Sequence, residues 1–510
     1  MDRRSYRLNK GLALKICVNL IILISWATMM VLLINKEELV KKDNKVKSSF
    51  REIIPEDIEV DDWKSIYISD KWAGYAHTTL CPYSEGNRKG YLIDSISYLR
   101  FKMFEQLKDI EIHSREVLDT SFRVIKFEAM ISGITRVTIT GKRLGDHLLV
   151  EIGYGKAKHK RIFEAADDFF LENSILSIYR GKGLKVGDSY TLNLFNPLTL
   201  TAEPTNIEVI GEEADYLVLK TEFSGLSQKT WINKNGFVVR EETANGWVMA
   251  QDTKEKIEQY MNDFSGKRVD ILNDVAVITE RKLEVPRKTG FLKIRISGID
   301  LADFSFDGER QRVIDPEKGI IEIKSVFADE QGALSLPYEG NDLSRFLKPS
   351  IWIQSRDPKI VSKTLDIIGD ENNSWLAAKK IGKWVHENVN SAFSIGIPIA
   401  TSVLLNREGD CNEHTVLFVA LARSCGIPAD ICAGFVYIND GFYYHAWPKV
   451  YVGKWIHLDP TFGQSIADAT HFELVSGDLS AQAKLALTIG KIDMEIIHSE
   501  IWRNGYDRDQ

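Results

Sequence analysis

The sequence predicts an α+β chain: an apolar amino-terminal helix, an antiparallel β-domain, and a carboxy-terminal core where a cysteine opens a helix packed on an antiparallel sheet. Three observations predict it. Residues 16–34, ICVNLIILISWATMMVLLI, run nineteen positions without a charge. Residues 56–285 are mostly strand-like, with Gly- and Asn-containing turns. The stretch EGDCNEHTVLFVALARSCGIP begins with helix-capping residues around Cys411 and ends on Gly426 and Pro428, with β-rich runs beyond it.

Taken in order, residues 1–15 form a basic tail carrying Arg3, Arg4, Arg7, Lys10 and Lys15. An apolar run of this length spans a bilayer core as a helix. It continues into NKEELVKK with no small-residue cleavage pattern, so residues 16–35 read as an uncleaved anchor in the lipid bilayer, with a cleaved signal as the alternative. Lys36, Lys41, Lys42, Lys45 and Lys47 follow, so five basic residues flank each side and charge counting alone leaves orientation open. Residues 36–55 form a Lys/Glu-rich solvated linker.

Residues 56–285 are expected to form an antiparallel, curved β-domain with meander or Greek-key connections. RVTIT at 136–140 alternates, and TWINKNGFVVRE places Asn235-Gly236 between two β-rich runs, a strong hairpin signal. ANGW at 244–247 offers a further turn, and a short helix is expected within 164–180. His77, His113, His147 and His159 are scattered without ligand spacing. Residues 286–360 form a small β-unit with connecting loops: FLKIRIS puts Leu292, Ile294 and Ile296 on one face, and IIEIKSVF repeats the alternation. Residues 361–500 form the carboxy-terminal domain. It includes a helix at about 371–389, on which Trp375, Ala378, Ile381, Val385 and Val389 share a face.

Composition narrows the function classes. The net charge of -7 argues against nucleic acid as a main partner, because phosphate binding needs a basic face. Five cysteines in 510 residues, with no CxxC pair, argue against a disulfide scaffold or a structural zinc site. No acidic calcium loop, cofactor motif or metal-ligand spacing is present, so no cofactor and no metal are expected.

The chemistry concentrates near Cys411. Asp410 is the N-cap and Glu413 stands three residues later, an Asp version of the capping box, so Cys411 is the first helical residue. The helix dipole there favours a thiolate, while Asp410 and Glu413 oppose one, so a nearby cation is needed to tip the balance. Downstream, FYYHAWPKVYVGKWIHLDPTF reads as two strands around Val452-Gly453-Lys454. If those three residues form the loop, Tyr451 pairs with Trp455, His445 faces Thr461, and Asp459 lies diagonally within reach of His445. Cys411 then serves as nucleophile, His445 as base and Asp459 as orienting group. His414 and His457 compete for the role of base. Cys425 and Cys432 read as buried thiols. Read by residue type alone, Cys411 is equally a small structural residue, and Asp459-Pro460 a simple strand end.

REGDCNEHTVLFVALARSCGIPADICAGFVY followed by YYHAWPKVYVGKWIHLDPTFGQ resembles the transglutaminase-like superfamily over about 370–465. GFLKIRISGIDLADFSFDGERQRV, IWIQSRDPKI and DATHFELVSG are similar to segments of bacterial, membrane-anchored, multi-domain members. The resemblance implies a papain-like core with Cys411 as nucleophile, His445 as base and Asp459 as third member. It implies an acyl transfer on peptide or protein amides through a thioester; membership leaves hydrolysis, cross-linking, deamidation and glycan removal from Asn open, and hydrolysis is expected over cross-linking. It also places the anchor in the inner membrane, with the catalytic domain on the periplasmic side. The implied partners are a peptide or protein substrate and an envelope protein. The alternative is a non-catalytic scaffold that binds an envelope partner.

Overall fold

The computed structural model describes residues 59–502, except 69, 104–105, 133–135, 155–156, 165–168, 176–183, 198–200, 224–225, 244–245, 264–275, 305–307, 393–397, 478–484, 486–487 and 489–490. The chain divides into two units, one ending at Asp274 and one beginning at Val275.

The first unit is built on a fifteen-stranded sheet. Strands Val60–Ile68 through Ala157–Glu164 follow one another in sequence order, as do strands Phe169–Phe170 through Trp247–Gln251. The two runs join where Val60–Ile68 pairs antiparallel with Trp247–Gln251, with Lys64 opposite Gln251. The Asn235-Gly236 turn lies between Leu226–Ile232 and Val238–Thr243, and Gly236 adopts φ +74, a left-handed conformation that suits glycine. Inside the 164–180 window the described residues form the short strand Phe169–Phe170 and a 3-10 turn, Glu172–Ile175, rather than an α-helix. Phe170 and Ile175 enter a core with Leu192, Leu194, Ile207, Val209, Leu219, Ile232 and Val238. Tertiary burial, rather than helical periodicity, settles this segment.

The second unit holds a five-stranded sheet, in which Ala429–Ile438 and Gly441–Tyr451 are central, and a four-stranded sheet. In the latter, Thr289–Ser297 pairs with Ile320–Lys324 on one side and with the late strand Asp493–Ile501 on the other. Leu292, Ile294 and Ile296 face its core. The helices are Pro358–Ile368, Ser374–Asn388, Ala400–Asn406 and Cys411–Ser424. Val416 through Ala422 are apolar on every face, and the last helix is accordingly buried all round, between the strands and the other three helices. Every residue of Ala429–Ile438 is buried as well.

The expected fold class is corrected here. The α+β class gives way to a mostly β chain with large antiparallel sheets, since the β-rich segments supply three sheets of four or more strands. Among the described residues, α-helix is confined to Lys254–Asn262 and the four helices just named. The expected transmembrane helix over residues 16–35 lies outside the described residues. Among the described residues, no helix is long and apolar enough to cross a membrane.

Candidate active site

The buried helix Cys411–Ser424 starts on a complete capping box: Asp410 accepts from the Asn412 N–H at 2.9 Å, and Glu413 accepts from the Asp410 N–H at 3.0 Å. This fixes Cys411 at the first helical position. One turn later the Thr415 hydroxyl donates to the Ala446 carbonyl at 3.1 Å. The Cys411 face of the helix therefore lies against the strand residue that follows His445, and the Ala446 N–H hydrogen-bonds the thiol.

Strand Gly441–Tyr451 carries His445 opposite Gly434. A Cβ at Gly434 would lie 2.0 Å from the Phe472 carbonyl oxygen, so only glycine permits this strand approach. The hairpin pairs Tyr451 with Trp455, as the Val452–Lys454 loop predicts. The ladder ends sooner than expected, however. After Lys449 opposite His457 and the Leu458 N–H to Pro448 carbonyl bond, the chain turns, and Asp459 bridges Gln464 instead of facing His445 across strands. Asp459 Oδ1 accepts from the N–H groups of Thr461 and Phe462 at 2.8 and 3.2 Å, and His386 Nδ1 bonds the Pro460 carbonyl at 2.9 Å. The turn delivers the carboxylate to His445 all the same: His445 Nε2 lies 2.7 Å from Asp459 Oδ2.

A carboxylate only accepts, so His445 carries its hydrogen on Nε2 and, when neutral, a lone pair on Nδ1. That Nδ1 is buried and has no hydrogen-bond partner among the described residues. His471, which the sequence reading missed, places its Nε2 2.9 Å from the same Oδ2. Cys411, His445, Asp459 and His471 are all fully buried.

The electrostatics follow from that burial. Desolvation pushes the Cys411 thiol far up, Asp410 and Glu413 push the same way, and the Ala446 N–H only partly opposes them. The helix-start preference for a thiolate is thus overridden in this closed form. Burial also lowers the His445 imidazole, against the pull of Asp459. For Asp459, burial alone would raise the acid, yet His445 and His471 hold it far below the carboxylate range. The site rests as thiol, neutral imidazole and carboxylate.

The competing histidines go elsewhere. His414 places Nδ1 2.6 Å from the Asp410 carbonyl and Nε2 3.2 Å from the Val389 carbonyl. His457 Nδ1 accepts from the Trp447 indole N–H at 3.0 Å. Cys432 is fully buried 3.8 Å from that nitrogen, and burial pushes the Cys425 thiol up to about 12. Two groups bring metal-ligand atoms within 4.8 Å of one another: Cys432 with His457 and Glu473, and His445 with Asp459 and His471. In the first, Trp447 occupies His457 Nδ1 and Lys449 holds Glu473 at 2.7 Å. In the second, both Nε2 atoms are spent on Asp459. Neither arrangement leaves lone pairs converging on a cation.

A cysteine thus opens the helix that packs on the strand carrying an imidazole held by a carboxylate, the residue types that cysteine-dependent enzymes use. Residues 362–460 match the model of the transglutaminase-like superfamily, as the resemblance read from the motifs implies. No curated protein matches the chain significantly. Among solved structures, the chain is similar to a candidate cysteine protease from Cytophaga hutchinsonii, at 18% identity, 43% of this chain, 91% of that chain and a TM-score of 0.30. It is also similar to a β-barrel-like protein of a domain of unknown function from Brucella abortus, at 10% identity, 38% of this chain, 96% of that chain and a TM-score of 0.26. A candidate protease from Parabacteroides distasonis matches at 15% identity, 34% of this chain, 38% of that chain and a TM-score of 0.18.

Proposed function

We propose that the chain is a cysteine acyl-transfer enzyme acting on peptide or protein amides through Cys411, His445 and Asp459. The supporting observation is the His445 tautomer: Nε2–H is committed to Asp459, and the buried Nδ1 lone pair has no partner among the described residues. His445 Nδ1 takes the thiol proton as Sγ bonds the acyl carbon. The Cys411 backbone N–H, in the first helical turn, helps bind the oxyanion. The carbon–nitrogen bond then breaks, the amine leaves with that proton, and a thioester remains. Water, deprotonated by His445, resolves it to a carboxylic acid and the restored thiol. Water is favoured over an amine because Cys411 is wholly buried, and a small acceptor reaches it more readily. The proposal includes attachment to the inner membrane through residues 16–35, with the catalytic unit on the periplasmic side.

The test is the full chain in detergent with a peptide library in heavy-oxygen water, read by mass spectrometry. Hydrolysis puts heavy oxygen into new carboxyl termini, and Cys411→Ala abolishes it with the circular dichroism unchanged. Equal cleavage by Cys411→Ala would sink the proposal, and amine incorporation without heavy oxygen would replace hydrolysis by transamidation. The buried, neutral Cys411 is also compatible with a scaffold that binds an envelope partner, for which wild type and Cys411→Ala would both be inert.

A further inference from the structure

We propose that His471 is a positioning residue for this site: it shares the Asp459 oxygen with His445 and supplies the positive charge that lets His445 stay a neutral base. The inference rests on the Cys411–His445–Asp459 reading above.

The geometry is that of a chain of paired groups. His445 and His471 approach Asp459 Oδ2 at 2.7 and 2.9 Å. On its other side, His471 Nδ1 faces the Asp468 carbonyl oxygen at 3.2 Å and Asp468 Oδ1 at 3.5 Å. Both ring nitrogens thus face oxygen acceptors, and the ring satisfies both only by donating from both. Asp468 is itself held tightly. Its Oδ2 forms an ion pair with Arg287 Nη1 at 3.0 Å and accepts from Gln464 Nε2 at 3.1 Å. Its Oδ1 accepts from the Thr470 N–H at 2.8 Å and hydroxyl at 2.5 Å. The remaining surroundings of the His471 ring are Trp447, His445 and Phe462, at centroid distances of 5.1, 5.6 and 6.1 Å. Among the described residues, the titratable and charged groups around the pair are therefore Asp459, Asp468, His445 and His457, with Cys411 and His414 within the field of Asp459, Arg287 paired with Asp468, and Arg310 donating to the Asp468 and His471 carbonyls.

Charge accounting shows what His471 does. Arg287 and Arg310 lie toward Asp468, whereas the Asp459 carboxylate meets only two imidazoles and two backbone N–H groups; a doubly protonated His471 is thus the cation against Asp459, leaving His445 neutral with its Nδ1 lone pair available. Without the His471 charge, a buried carboxylate faces His445 alone, and its field holds a proton on that imidazole. Without the His471 N–H, Asp459 Oδ2 also loses one of the two donors that fix its direction. A purely structural role predicts neither a shifted pH profile nor recovery by a neutral donor.

The experiment is the iodoacetamide reaction of the full chain in detergent, reading only the Cys411 peptide against pH. Wild type is compared with His445→Ala, His471→Leu and His471→Asn. We expect His471→Leu to slow the reaction about tenfold or more near neutrality, the effect of losing one charged hydrogen bond, and to move the acid limb to higher pH. His471→Asn keeps a donor without a charge, so it should recover most of the rate while retaining the moved limb. If His471→Leu fails to fold, the limb of His471→Asn decides alone. An unmoved limb in a folded His471 variant overturns the inference while the proposed function stands. Equal Cys411 reactivity with and without His445 overturns both.

Discussion

Arg310→Met tests how the four-stranded sheet holds the active-site loop. Arg310 Nη1 donates to the carbonyls of Ala467 and Lys324 at 3.1 and 3.4 Å, and Nη2 to those of Asp468 and His471 at 2.5 and 3.1 Å. Beside it, Gln311 pairs its amide with the Glu473 backbone at 2.6 and 3.0 Å, extending the clamp to strand Phe472–Ser476. Burial lowers the Arg310 guanidinium to about 10, against the pull of Asp468 and Glu473. Methionine fills similar space with no donor. Ala467 keeps the Ser325 hydroxyl and Asp468 keeps the His471 N–H. The His471 carbonyl is left with no other donor among the described contacts, at about 1–3 kcal/mol, the Ala467 and Asp468 carbonyls each lose a charged bond of about 1.5 kcal/mol, and the Lys324 carbonyl loses the longest of the four, at 3.4 Å. Relief of guanidinium desolvation offsets part of this, so the net loss should be about 3–5 kcal/mol, typical for a broken buried network. At roughly 1–3 kcal/mol per molar, the urea midpoint should fall by about 1–5 M. Pulse proteolysis across urea, with cuts mapped to residues 276–502, reads that unit directly. A midpoint within about 0.3 M of wild type would refute the clamp.

Three further outcomes follow. Asp459→Asn should reduce heavy-oxygen incorporation on the order of 10⁴-fold, because an amide has one acceptor oxygen for two imidazoles on one side and the Thr461 and Phe462 N–H groups on the other, and must turn its NH2 toward one pair; a loss under tenfold in the peptide-library assay would count against that role. Burial lowers His414, His445 and His457 below the ordinary value of about 6.5. Their neutral folded forms therefore contribute stability that is complete above about pH 6.5 and is lost as pH falls, by up to about 4 kcal/mol per unit for the three together. A 276–502 midpoint that rises between pH 7 and 5 would contradict this. In the fifteen-stranded unit the sign reverses: burial pushes Glu116 up to about 7, against the Asn173 hydrogen bond. Its contribution is complete below about pH 4.3 and lost as pH rises through 7, and Glu116→Gln should remove that dependence in melts compared at pH 5 and pH 8.

Much of the site was legible because local chemistry encodes it. Asp410 and Glu413 announce the cap that places Cys411, and the Val452–Lys454 loop sets the Tyr451–Trp455 register. Asp459-Pro460 ends the strand, as such a pair often does, and that turn is itself what brings the carboxylate to His445. His457 seemed a rival only while the strand was taken to continue past Leu458. His471 was illegible for a different reason. It follows a loop whose course depends on Arg310 and Arg287, far away in sequence, and no local spacing reports that. The class of the whole chain was misjudged through weighting: a few strong helix signals near residue 411 stood out against many short strands. The weak alternation of each strand becomes decisive only when neighbours pair.

Cys411 lies wholly beneath the surface, and that makes time in an open form a factor in every encounter. A substrate or probe that meets only the open population has its apparent affinity divided by about the closed-to-open ratio. If one molecule in about a hundred is open, that amounts to about 2.7 kcal/mol before any chemistry. A partner that favours the open population could therefore raise the rate about a hundredfold without touching the thiol, imidazole or carboxylate. The same factor would protect the thiol from oxidants for as long as the site stays shut.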